Sequence, residues 1–265
     1  MNRIVSIAAA MCLVTALCLE AGSDLTASLQ EAPSKSSSYT SSPYAVDFNH
    51  PPREYAITNA QGWEIWMEIE LARDHPELAT QAFNRLNDNL AKLVTMIPDH
   101  SLSLLRDRRI FLMLGEQSSH GGKNSGADFF QRHAPEYFSQ IDPRMGGSIL
   151  IYSAKNYVWL SDLWALKVLM HEFAHAWHLD QWPETEPTIL ASHQRALEQG
   201  LYQQVTTDEG NLRQQAYALN NQLEYFAELS CMYFVECNYS PRTRADLEHY
   251  DPEGYAMIRK MWKLE

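Results

Sequence analysis

The sequence predicts an α+β fold. Extended, partly alternating apolar segments fall before residue 152, and helical spacing of apolar residues dominates after Ser161. Strands early and helices late, rather than in strict alternation, imply segregated layers instead of a repeating βα unit.

The elements follow in order. Tyr55-Ala56-Ile57 and the run Trp63 to Ile69 flank Asn59-Ala60-Gln61-Gly62, a hairpin pattern. Pro76 opens a long helix in which Leu78, Ala82, Leu86, Leu90, Leu93 and Ile97 recur at helical spacing, and Pro98 ends it. Arg109 to Leu114 reads as a strand, and the Gly- and Ser-rich stretch Gly115 to Gly126 as a loop. Gly146-Gly147 precedes a further strand, Ser148 to Tyr152. Helices are then expected over residues 162–179, 188–204, 211–234 and 252–262.

The chain has 265 residues, enough for one sizeable domain. That domain is expected over residues 51–265. Residues 1–21 read as a signal peptide, because Arg3 is followed by an uncharged, mostly apolar run from Ile4 to Leu19 that is too short for a membrane span. Residues 22–50 read as a Ser-rich linker that lacks the apolar surface to fold. The expected location is secreted or periplasmic, with no stable membrane insertion once the signal is removed. Cys231 and Cys237 would then be the remaining thiols, with a short disulfide between them and two free thiols equally open. A formal net charge of −12 speaks against a nucleic-acid partner, which calls for a basic face.

The chemistry concentrates in His171-Glu172-Phe173-Ala174-His175. Side chains four apart on a helix lie one turn above each other, so both imidazoles can reach one tetrahedral zinc. The glutamate between them is placed to take a proton from a water at the metal's open position. Trp164, Leu166, Val168, Leu169, Met170, Phe173 and Trp177 make this helix apolar nearly all round, so it is expected to be buried. Two histidines and a glutamate are costly to bury without a metal.

Two ligands require a third. A continuation as His-x-x-x-His-x-x-Gly-x-x-His fails, because His178 stands at the glycine place and Gln181 at the last histidine place. A carboxylate from the expected 211–234 helix is the alternative. Tyr217, Asn221, Glu224 and Glu228 recur there at three- and four-residue steps, beside an apolar stripe of Leu212, Ala216, Leu219, Leu223 and Phe226. Glu224 is the expected ligand. Glu228 is placed to accept the free ring N–H of a liganding histidine, and Tyr217 to donate to an oxyanion.

The pair HEFAH and YALNNQLEYFAE resembles the gluzincin-type zinc metallopeptidases related to the catalytic domain of anthrax lethal factor. Secreted metallopeptidases with that signature are similar from about Tyr55 to Lys263. The resemblance implies a zincin-like fold, with an N-terminal mixed α/β lobe, a C-terminal mainly helical lobe and the cleft between them. It implies one zinc ion on His171, His175 and Glu224, with Glu172 as general base and Tyr217 assisting. It also implies a peptide or protein substrate laid along the strand Ser148 to Tyr152. The residues themselves leave open a non-catalytic zinc-binding scaffold, or a hydrolase of another amide such as a cell-wall component.

Overall fold

The computed structural model describes residues 46–264, so the expected signal peptide lies outside the described residues. The first elements are strands β1 (Tyr55–Ala60) and β2 (Trp63–Glu68), joined by a two-residue turn in which Gln61 and Gly62 take positive φ. Helices α1 (Ile69–Asp74), α2 (Pro76–Met96) and α3 (Asp99–Leu105) lead to β3 (Ile110–Leu112). Strand β4 (Ala127–Phe130), helix α4 (Ala134–Tyr137), strand β5 (Ser148–Ile151), helix α5 (Ala154–Trp159) and helix α6 (Asp162–Gln181) follow. The rest comprises α7 (Pro187–Glu198), hairpin strands β6 (Gln203–Thr206) and β7 (Leu212–Gln215), a 3-10 turn (Tyr217–Leu219), α8 (Gln222–Phe234), α9 (Arg244–Tyr250) and α10 (Pro252–Met261). The fold is mixed α+β, with a mixed sheet and a mainly helical C-terminal part.

Strands β1 to β5 form one sheet in the order β1-β2-β3-β5-β4. The inner strands β2, β3 and β5 are parallel, and both outer strands are antiparallel to their neighbours. Period-two alternation divides each strand between two cores. Ile65, Ile110, Leu112, Ile149, Ile151, Ala127 and Phe129 face the large core shared with α2 and α6. Phe111, Leu150, Phe130 and Tyr152 face a smaller core on the opposite side, closed by Phe48, Ile141 and Met145. Phe48 falls inside the stretch expected as linker, yet it is buried and stacks on Tyr152 at 5.7 Å, so packed structure begins before Pro51.

Helix α6 starts on Ser161, whose hydroxyl accepts the Trp164 N–H at 3.3 Å. Every residue from Leu169 to His178 is buried, as its apolar composition demands. Trp177 anchors its second half: the indole stacks on Trp262 of the C-terminal segment at 5.3 Å and donates to the Met261 carbonyl at 3.0 Å. Helix α8 packs along α6 and is buried from Leu223 to Phe234.

Three expectations need correction. Residues 211–221 are not α-helical: Thr207 to Asn211 close a hairpin, with the Thr207 N–H donating to Asn211 O and Gly210 at φ 82°. The Leu-Arg-Gln-Gln run of β7 has good helix propensity, but turn chemistry overrides it. Leu212 is consequently exposed rather than part of an apolar stripe. Helix α7 likewise ends at Glu198, near Gly200 at φ 67°, so β6 occupies residues expected as helix. Finally, the strand from Ser148 is paired on both sides, and the edge beside α6 belongs to β4, in a stretch where the sequence suggested no strand.

Candidate metal centre

Asn221 defines the start of α8. Its side-chain oxygen accepts the N–H groups of Leu223 and Glu224 at 2.9 and 3.0 Å. Glu224 therefore sits in the first turn of α8, and Glu228 one turn on along the same face. Tyr217 is not on this helix but in the 3-10 turn before it. There its ring lies 5.9 Å from the His171 ring.

The structure brings His171, His175 and Glu224 together. The two Nε2 atoms are 3.0 Å apart, and Glu224 Oε2 lies 3.0 Å from His171 Nε2 and 3.5 Å from His175 Nε2. A tetrahedral zinc with bonds of about 2.0–2.1 Å needs ligand atoms about 3.3 Å apart, so this triangle fits the ion. All three side chains are buried. Burial pushes His175 below the usual histidine range despite the Glu224 carboxylate beside it, a shift toward the neutral imidazole that a metal ligand requires. Burial opposes ionisation of Glu224, but His175 and His171 outweigh it and hold the carboxyl well below its ordinary value.

The tautomer of His171 follows from its other nitrogen. Nδ1 lies 2.9 Å from Glu228 Oε1, an acceptor; a proton on Nδ1 donates there and leaves the Nε2 lone pair for an ion in the triangle. Glu228 is itself fixed by Lys167, whose ammonium is 2.9 Å away and also donates to Asn238 Oδ1 at 2.7 Å. Burial disfavours a charged Glu228, but Lys167 first, and then His171 and Tyr239, overcome it and keep the carboxylate ionised.

A second donor group, His171, Glu228 and Cys231, also lies close enough to hold an ion. It already contains a cation, the buried Lys167 ammonium, and a metal there would face direct repulsion. A third group, Glu68, Glu70 and His120, is occupied in a different way. Glu68 pairs with the buried Arg53 at 2.7 Å and accepts from Leu114 N and Ser118 Oγ, while Glu70 accepts from Ser118 and Ser119. This cluster pins the 115–122 loop to the end of β2. Of the three groups, the His171–His175–Glu224 triangle is the one that joins two imidazoles and a carboxylate.

Glu172 is fully buried, and neither carboxylate oxygen makes a hydrogen bond of good geometry. Burial raises its pKa well above the usual carboxylate range. His171 offsets this in part, Asp128 and Glu224 add to it, and the Phe129 amide of edge strand β4 lowers it weakly. A group held this way binds a proton far more readily than an exposed glutamate.

His178 does not join the triangle. Its Nε2–H donates to the Pro183 carbonyl at 3.2 Å, and its ring lies edge-on to Phe226. Cys231 and Cys237 are free and buried rather than bridged: Cys231 Sγ donates to the Lys167 carbonyl and Cys237 Sγ to Glu228. Asn238 is buried against Lys167.

Sequence reasoning missed Lys167, Asn238, Tyr239 and Asp128. Lys167 carried a signal, being four residues before His171 on the same helix face. Asn238 and Tyr239 arrive through the fold of the segment after α8, which has no periodicity to read. No protein-family model and no curated protein sequence matches the chain. Among the described residues, no helix is long and apolar enough to cross a membrane.

Proposed function

We propose that the chain is a zinc-dependent hydrolase of the gluzincin type, acting on peptide bonds and exported from the cytoplasm. The observation that carries this reading is the convergence of two imidazole nitrogens and a carboxylate oxygen at tetrahedral edge lengths, with the buried Glu172 in the residue between them.

His171, His175 and Glu224 would hold the ion. Zinc, when bound, supplies Lewis acidity, polarising a carbonyl and lowering the pKa of water to about 7. Glu172 takes the proton from the attacking water and returns it to the leaving amine, and the upward shift that burial gives its pKa favours holding that proton in between. Tyr217 donates to the oxyanion that develops at the scissile carbonyl. Glu228 holds the His171 ring in the tautomer that keeps Nε2 bare.

The test pairs metal content with turnover. Purified protein is expected to carry one zinc per chain and to cleave a peptide library, and Glu172→Gln to keep the zinc and lose the cleavage. Absence of zinc, or full activity in Glu172→Gln, sinks the mechanism. Zinc bound without cleavage of any peptide or cell-wall amide favours the scaffold reading, whereas cleavage confined to non-peptide amides changes only the substrate.

A further inference from the structure

The layer beneath the metal ligands converges on Glu228. The donors to its carboxylate are His171 Nδ1 at 2.9 Å, Lys167 Nζ at 2.9 Å, Cys237 Sγ at 3.4 Å and the Tyr239 hydroxyl. A carboxylate has about four acceptor sites, so this one is saturated. His171 is the ring it orients, and Lys167 balances its charge. The Tyr239 hydroxyl has a second bond, toward the turn that carries Tyr217: it accepts the Ala218 N–H at 3.3 Å.

Ala218 follows Tyr217 directly in the 3-10 turn. Tyr239 is fully buried, and its backbone bridges to Thr207 at the turn of the β6–β7 hairpin, whose second strand runs into Tyr217. Ser240 N donates to Thr206 O and clamps the same segment to the hairpin's first strand. One phenol oxygen thus lies between the backbone that carries Tyr217 and the carboxylate that aims His171.

We propose that Tyr239 is a positioning residue. Its hydroxyl ties the turn bearing Tyr217 to Glu228, so that the oxyanion donor and the first metal ligand are set by a single group. The inference rests on the zinc-hydrolase reading, because it assigns Tyr239 a part in that site. The physical reason is exclusion of water. Without the hydroxyl, the Ala218 N–H and one acceptor site of Glu228 are both unpartnered in a buried volume, and each can recover a bond only by moving. The movement loosens His171 on one side and the Tyr217 turn on the other.

The test uses the full chain as purified, stripped and reloaded with zinc, and compares wild type with Tyr239→Phe and Tyr225→Phe. Tyr225 is the control: it loses a buried hydroxyl from α8 that bonds Asp251 rather than the site. Zinc affinity is read by chelator competition, stability by thermal melting, and the Ala218 amide by hydrogen exchange. The expected result is that Tyr239→Phe weakens zinc binding about tenfold or more and speeds exchange at Ala218. Tyr225→Phe should melt earlier with its zinc affinity within twofold of wild type. Equal zinc affinity in Tyr239→Phe and wild type overturns the inference and leaves the zinc-hydrolase reading standing. A wild type that takes up no zinc overturns both. Should Tyr239→Phe fail to fold, exchange in the wild type decides: zinc loading is expected to slow the Ala218 amide, and an unchanged rate rejects the coupling.

Discussion

His171 Nε2 and His175 Nε2 stand 3.0 Å apart, each also near Glu224 Oε2. Glu228 at 2.9 Å from His171 Nδ1 can hold the ring proton there, leaving the Nε2 lone pair for the point that Glu224 also faces. A cation at that point would satisfy all three donors at once. The ion is therefore expected to stabilise the fold. Zinc at 100 times its dissociation constant should raise unfolding stability by about 2.7 kcal/mol, and His175→Ala or Glu224→Ala should abolish that gain in calorimetric melts.

Glu172→Gln replaces a buried carboxyl with a neutral group of the same shape. Zinc content should be unchanged, while kcat for peptide hydrolysis should fall by about 10²–10⁴, the usual contribution of a positioned acid–base group. Zinc loss in this variant would mean that Glu172 supports the ligands rather than the proton transfer.

Tyr217→Phe removes the hydroxyl from a ring that lies 5.9 Å from the His171 ring. A donor to a developing oxyanion contributes about 2.7–4 kcal/mol, so kcat should drop roughly 10²–10³-fold with KM nearly constant. A rise in KM at constant kcat would assign the hydroxyl to substrate binding instead.

His178 gives the fold a pH dependence of definite sign. Burial draws its pKa down to about 4, with His175 adding to the shift and the Pro183 carbonyl opposing it. The unfolded chain binds the proton near pH 6.5 and the folded chain only near 4, so the stability this residue contributes is fully present above about 6.5. It is lost as pH falls from there through about 4, by up to about 3 kcal/mol. Urea unfolding of wild type and His178→Gln at pH 7 and pH 4.5 should show the two converging, or crossing, at the lower pH. A constant difference between them would refute it.

Cys231 and Cys237 are free and buried, and burial pushes both thiols up from their ordinary values. Neither should react with a thiol reagent in the native protein, and both should react in denaturant without prior reduction. A requirement for reduction would reveal a disulfide.

Much of this site was legible because its signals are local. His171, Glu172 and His175 lie on one turn of one helix, where spacing alone fixes their juxtaposition. Glu224 and Glu228 were legible for the same reason, and the correct face survived even though the helix was drawn too long. The error lay upstream: Asn221 followed three residues later by Glu224 is a helix-start pattern, but good helix formers on its N-terminal side masked it. Strand β4 was harder to see. Ala-Asp-Phe-Phe has no alternation of hydropathy, because both faces of β4 are buried and its Asp128 is paired with Lys123 and Tyr152. Tyr239 and Asn238 had no signal at all, since only the return of the chain after α8 brings them under His171.

Lys167 has one further consequence. Two sets of donors share the His171 ring, one on each nitrogen, and similar ligand chemistry on both sides would ordinarily invite a pair of ions. A charge covalently attached to α6 fills the inner set for the life of the protein. One ion, rather than a pair, is therefore the stoichiometry expected when the protein is loaded with zinc.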